Sequence, residues 1–171
     1  MPDVYVVLTG PPASGKSTLS HPLAAELGLP LLVKDTVKQA LVDALGAPDV
    51  EASRRLGRAS VAALLAVARE TGGAVLDSVW VDRIGAVDQL RSLGGVVEVF
   101  CRADVTTMRV RYRARAREKG VGHFDEQRPD EELWPEGALR PLAGGWPVVE
   151  VDTTSPVDVV DLVRRVREAA G

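Results

Sequence analysis

The sequence has a single cysteine, Cys101, among 171 residues, so no internal disulfide can form. No apolar run approaches the roughly 20 residues that a membrane-spanning helix requires. The N-terminus has no basic stretch followed by an apolar segment and a small-residue cleavage site, so no signal peptide is expected. A reducing, cytoplasmic setting, with no membrane partner, is the resulting expectation. The formal net charge is only −3, which gives no bulk attraction to nucleic acid. Lysines are few, and most of the basic charge is arginine. Internal repeats and low-complexity linkers are also missing. The composition, 46% hydrophobic and 26% charged, is that of an ordinary globular protein, long enough for one domain with a full core.

Against this background one stretch stands out: Gly10-Pro11-Pro12-Ala13-Ser14-Gly15-Lys16-Ser17-Thr18. It follows an apolar run of strand length, residues 4–9, and precedes a segment able to start a helix. This is the G-x-x-x-x-G-K-[ST] phosphate-binding loop in the context that motif requires. The glycines allow a tight turn and close approach to an anion. Consecutive N–H groups and the helix N-terminus then favour negative charge. Lys16 suits the β- and γ-phosphates of a nucleotide, and the Ser17 hydroxyl suits Mg²⁺.

Apolar runs alternate with helix-period segments along the rest of the chain. Strands are expected at 4–9, 31–33, 74–77, 96–101 and 148–151. Helices are expected from the phosphate loop to Gly28 despite Pro22, then over 37–45, 50–71, 83–93, 104–119 and 156–169. The segment 120–147 is long, polar and rich in Pro and Gly, as functional loops tend to be. Alternating strands and helices predict a parallel sheet covered on both faces. Ligands of such sheets lie beyond the carboxyl ends of the strands. That rule gathers Gly10–Ser17, Asp35, Asp77, Arg102 and Asp152–Thr154 along one edge.

Asp35 follows the second strand and is a candidate base for an attacking hydroxyl, or alternatively an N-cap. Asp77 ends an apolar strand, where a carboxylate can hold Mg²⁺ or contact substrate, or simply serve a turn. Asp82 and Arg83 are further candidates for an acceptor pocket. The arginine-rich helix splits into two faces, Arg109, Arg113 and Arg117 against Arg111, Arg115 and Lys119. One face could fold over a triphosphate; Arg113 and Arg117 are the catalytic candidates, and Arg109 and Arg113 the phosphate contacts. His123 could reach substrate or phosphate, Trp134 and Trp146 could shape the acceptor pocket or plug the core, and Thr153 could border the base. Cys101 reads as a small core residue.

The combination of Gly10–Thr18, Asp35 after strand 2, Asp77 after strand 3, the arginine-rich helix after Cys101, and Val151-Asp152-Thr153-Thr154 before the last helix resembles the P-loop kinases of the nucleoside-monophosphate-kinase-like group. Within that group it looks like the small AAA family ATPase kinases, relatives in fold of chloramphenicol phosphotransferase and zeta-toxin-like kinases. The resemblance implies a three-layer α/β/α fold with a five-stranded parallel sheet in the order 2-3-1-4-5 and a helical lid. It implies one kinase domain over residues 1–171, its lid and acceptor-covering part at about 104–147. It implies ATP with Mg²⁺, and phosphoryl transfer to a hydroxyl of a small molecule, with Asp35 as the base by position. The second Asp that shikimate kinases carry after strand 2 has no match beside Lys34-Asp35-Thr36.

Two other readings remain open at this stage. A nucleotide-dependent switch would hydrolyse ATP slowly and have no small acceptor. The chain lacks the N-K-x-D and D-x-x-G elements of guanine-nucleotide switches, and it has Asp77-Ser78 where motor ATPases often have paired acids. A toxin-type sugar-nucleotide kinase would keep the chemistry and change the acceptor. The sequence specifies neither the acceptor nor the oligomeric state.

Overall fold

The fold was analysed in a computed structural model, which describes residues 4–80, 85–116 and 129–171. Arg83, Arg117 and His123, with Asp82 and Lys119, lie outside the described residues. The elements in order are β1 (Tyr5–Thr9), α1 (Lys16–Leu27), β2 (Leu31–Val33), α2 (Lys34–Leu45), α3 (Val50–Thr71), β3 (Ala74–Asp77), α4 (Ala86–Arg91), β4 (Val96–Arg102), α5 (Val105–Ala116), α6 (Asp130–Leu133), β5 (Val148–Asp152) and α7 (Val159–Ala170). The five strands form one parallel sheet in the order β2-β3-β1-β4-β5, as the resemblance implies.

Period-2 alternation along β1 sends its side chains to two separate cores. Val6 and Leu8 pack with Leu19, Leu23 and Leu27 of α1 and Leu162, Val163 and Val166 of α7. Tyr5 and Val7 pack with Leu64, Leu65 and Ala68 of α3 and Ala86 and Leu90 of α4. The result is three layers, with the central strands buried on both faces. Both cores anchor β1, so the backbone leaving Thr9 enters the phosphate loop from a fixed position. Among the described residues no helix is long and apolar enough to cross a membrane.

Several boundaries differ from the sequence reading. α2 begins at Lys34 rather than 37, directly after β2, with Val33 at its N-cap and Asp35 inside its first turn. Asp35 is therefore not the cap of that helix. α7 starts at Val159 rather than near 156, because the Asp158 side chain caps it by accepting from the N–H groups of Val160 and Asp161. The described part of the long polar segment is not simply loop: it holds α6 and a single 3₁₀ turn, Glu136–Leu139. α1 runs on through Pro22 to a left-handed Gly28 cap.

Candidate functional site

The loop between β1 and α1 is built on close approach. Gly10 has φ +125°, and a Cβ there would lie 2.2 Å from the carbonyl oxygen of Cys101 at the end of β4. Only glycine fits. At Gly15, φ is +88° and a Cβ would stand 2.9 Å from the Thr153 side chain. Lys16, the first residue of α1, is buried, and its Nζ donates to the Gly10 and Pro11 carbonyls at 2.8 Å each. Burial, aided by the Arg115 charge and opposed by Cys101, Asp77 and Asp35, brings its pKa down from 10.5 to about 8. Burial also pushes the Cys101 thiol up to about 12, which leaves it a neutral core group.

Strand register brings the two candidate carboxylates to the same edge. Asp77 pairs in register with Leu8 of β1 on one side and with Val33 of β2 on the other. It is buried, and its Oδ2 accepts from the Ser20 hydroxyl of α1 at 3.1 Å. Asp35 lies two residues beyond Val33, with a side chain 57% exposed and its Oδ1 3.0 Å from Lys34 Nζ. Its place in the first turn of α2 suits a carboxylate, because the helix N-terminus carries partial positive charge. Both acids and Arg115 therefore act on the charge of Lys16.

The two faces of α5 have different surroundings, and the phosphate-loop side is not the one expected. Arg109 is engaged elsewhere: its Nε lies 2.8 Å from Asp130 Oδ2, and its guanidinium sits 6.0 Å from the Trp134 ring centre. Arg113, one turn further along that face, is exposed. Arg111 instead donates to the Thr153 carbonyl at 2.8 Å, and Arg115, one turn on, is the arginine whose charge reaches Lys16. Arg111, with its bond to Thr153, is thus the described arginine of α5 that touches the strand-end edge directly, while Arg113 and Arg115 are both exposed. The signal was available in Met108, which is buried and marks the inward face; Arg111 and Arg115 follow it at i+3 and i+7.

Trp134 and Thr153 also turn out to serve the loop itself. The Trp134 indole donates to the Pro12 carbonyl at 3.1 Å, and its ring meets Tyr112 edge-on with centres 5.7 Å apart. The Thr153 hydroxyl lies 2.7 Å from the Ser14 carbonyl and 3.0 Å from that of Arg102. Both side chains therefore bond to carbonyls of the loop.

Glu98 was missed altogether. It sits fully buried in the middle of β4. One oxygen accepts from the Thr9 hydroxyl at 2.6 Å and the Leu142 N–H at 2.7 Å; the other accepts from the Ala143 N–H at 3.0 Å and the Trp146 indole at 2.9 Å. Four donors satisfy a group that would otherwise be costly to bury. Trp146 is therefore part of the packing beneath the 129–147 segment.

The model of the AAA domain matches residues 6–133, which include β1 from Val6 on, the phosphate loop, Asp35, Asp77 and α5. The chain belongs to the AAA domain family. No curated protein matches this AAA domain. Among solved structures, a protein from Chloroflexus aurantiacus J-10-fl, provisionally described as a kinase, is 29% identical over 99% of both chains, with a TM-score of 0.84. A gluconokinase from Sinorhizobium meliloti 1021 is 22% identical over 98% of this chain and 91% of that one, with a TM-score of 0.62. Kti12 from Chaetomium thermophilum, solved with ADP-AlF3, is 17% identical over 98% and 99% of the two chains, with a TM-score of 0.67. The latter two share the fold with this chain.

The residues of the AAA domain suit magnesium in a specific way. Among the described residues no group of three or more His, Cys, Asp or Glu side chains converges as a cage. Mg²⁺ is typically held by one or two protein oxygens together with phosphate and water. The Ser17 hydroxyl, in the first turn of α1, and the Asp77 carboxylate, whose Oδ2 accepts from the Ser20 hydroxyl, are oxygens of the kind such a donor set needs.

Proposed function

We propose that the chain is an ATP-dependent kinase that transfers the γ-phosphoryl group to a hydroxyl of a small molecule, acting as one domain over 1–171 with 104–147 covering the site. The observation that carries this reading is the convergence at one sheet edge of Lys16 on the Gly10 and Pro11 carbonyls, Asp77 at the end of β3 and Asp35 in the first turn of α2, with α5 above them. A phosphate grip, a metal-supporting acid, an exposed acid and a further cation form the set that phosphoryl transfer needs. The likeness to the Chloroflexus protein adds support.

In this reading the loop N–H groups and Lys16 hold the β- and γ-phosphates. Ser17 and Asp77 would hold Mg²⁺, which neutralises phosphate charge. The acceptor oxygen attacks the γ-phosphorus, its proton passes to the Asp35 carboxylate, and the bond from phosphorus to the β,γ-bridging oxygen breaks to release ADP. Arg115, on the Arg111 face of α5, offsets charge on the transferring group. Asp35→Asn is expected to lower transfer by about 10²- to 10⁴-fold while the Kd for ATP, measured by calorimetry, stays within about twofold. Equal loss of ATP binding would make Asp35 a structural residue.

The depressed pKa of Lys16 gives a pH dependence. Its charged form grips phosphate and predominates below about 8 in the nucleotide-free protein. kcat/KM for ATP should therefore be level below that value and fall as pH rises through it. Bound phosphate favours the charged amine, so kcat should hold to a higher pH than kcat/KM. A kcat/KM profile still level at a pH well above this range would remove Lys16 from that role.

A further inference from the structure

We propose that Trp134 is a positioning residue for the phosphate loop, holding the Pro12–Ala13 peptide in the one orientation that aims the Ala13 N–H into the phosphate cradle. The proposal rests on the reading of Gly10–Thr18 as a nucleotide-binding loop. Pro11–Ser14 is a four-residue turn closed by the Ser14 N–H on the Pro11 carbonyl at 3.2 Å. Its third residue, Ala13, has φ +64°. Proline at the second position and a positive φ at the third define a type II turn, whose third position favours glycine. An alanine prefers the type I form, reached by turning over the peptide between the two central residues. That rotation would exchange the directions of the Pro12 carbonyl and the Ala13 N–H, presenting a carbonyl oxygen to the phosphate side.

The Trp134 indole opposes this flip because it donates to the Pro12 carbonyl. On the other side of Ala13 the Thr153 hydroxyl takes the Ser14 carbonyl. Trp134 itself is held edge-on by Tyr112 and covered by Arg109, which Asp130 fixes in turn. The loop's own sequence thus leaves the turn type unsettled, and a residue 122 positions away selects it.

The test uses ATP binding by calorimetry in the full chain. Trp134→Phe keeps the ring and removes the N–H; it should weaken ATP binding about fivefold, the worth of one hydrogen bond. Glycine takes positive φ readily. In an Ala13→Gly background the same Trp134→Phe change should therefore cost less than about twofold. Asp130→Asn, which loosens the hold on Arg109 and so on the indole, should produce a smaller loss that also disappears with Ala13→Gly; it carries the test if Trp134→Phe does not fold. Undiminished ATP affinity in Trp134→Phe, or an equal loss in both backgrounds, would overturn the proposal. A parent protein that binds no ATP would overturn the reading of the loop itself.

Discussion

Lys16→Ala is expected to lower kcat/KM for ATP by about 10³-fold or more, the scale seen when a preorganised donor to transition-state charge is removed. Lys16 is one of few lysines, it opens α1, and its amine lies across the loop mouth on two loop carbonyls. Burial disfavours its charge in the empty site, where its pKa falls from 10.5 to about 8. Removing it should therefore leave the nucleotide-free protein folded. The expected signature is a near-parental melting temperature without nucleotide and no stabilisation when ATP is added. Thermal melts with and without ATP, alongside steady-state kinetics, check both halves. ATP stabilisation equal to that of the parent would contradict the assignment of the loop.

Glu98→Ala should have the largest effect on stability. It leaves the buried Thr9 hydroxyl without its acceptor, and with it two backbone N–H groups and the Trp146 indole at partly buried positions. Unsatisfied buried donors cost about 1–3 kcal/mol each, partly relieved by water, so a loss of about 4 kcal/mol is expected. For a chain of this size that is a fall of about 10 °C in melting temperature. Glu98→Gln retains one acceptor oxygen but sets an NH₂ group against donors, and should fall between. Thr9 leads directly into Gly10, so ATP affinity should drop as well. Urea and thermal denaturation measure the effect; a change within about 1 kcal/mol would show that the four hydrogen bonds do not hold the 140–146 segment to the sheet.

The contrast between these two residues shows what could be read from sequence. Lys16 belongs to a contiguous pattern in which every part has a local task, so nine residues suffice to recognise it. Asp35 and Asp77 were legible because they end or follow apolar runs, and parallel strands send their carboxyl ends to one edge. Glu98 interrupts an apolar run, which is a visible signal, but two of its partners are backbone N–H groups at 142 and 143. Such groups carry no sequence signature. Helical periodicity separated the arginines of α5 into two faces, yet which face meets the loop depends on where Met108 packs. Thr153 meets Ser14 across 139 residues, a closeness set by strand order and not by any local pattern. The start of α2 was placed three residues late because Val33, without a capping side chain, passes directly from strand into helix.

The central claim is that the terminal phosphoryl group goes to a hydroxyl compound with Asp35 taking the proton. The most direct measurement follows ATP labelled at the γ-phosphate, incubated with a panel of hydroxylated metabolites and antibiotics, in the parent and in Asp35→Asn. The account predicts label in an organic product whose mass has risen by one phosphoryl group, lost in Asp35→Asn. Label appearing only as inorganic phosphate, at equal rates in the two proteins, would contradict it.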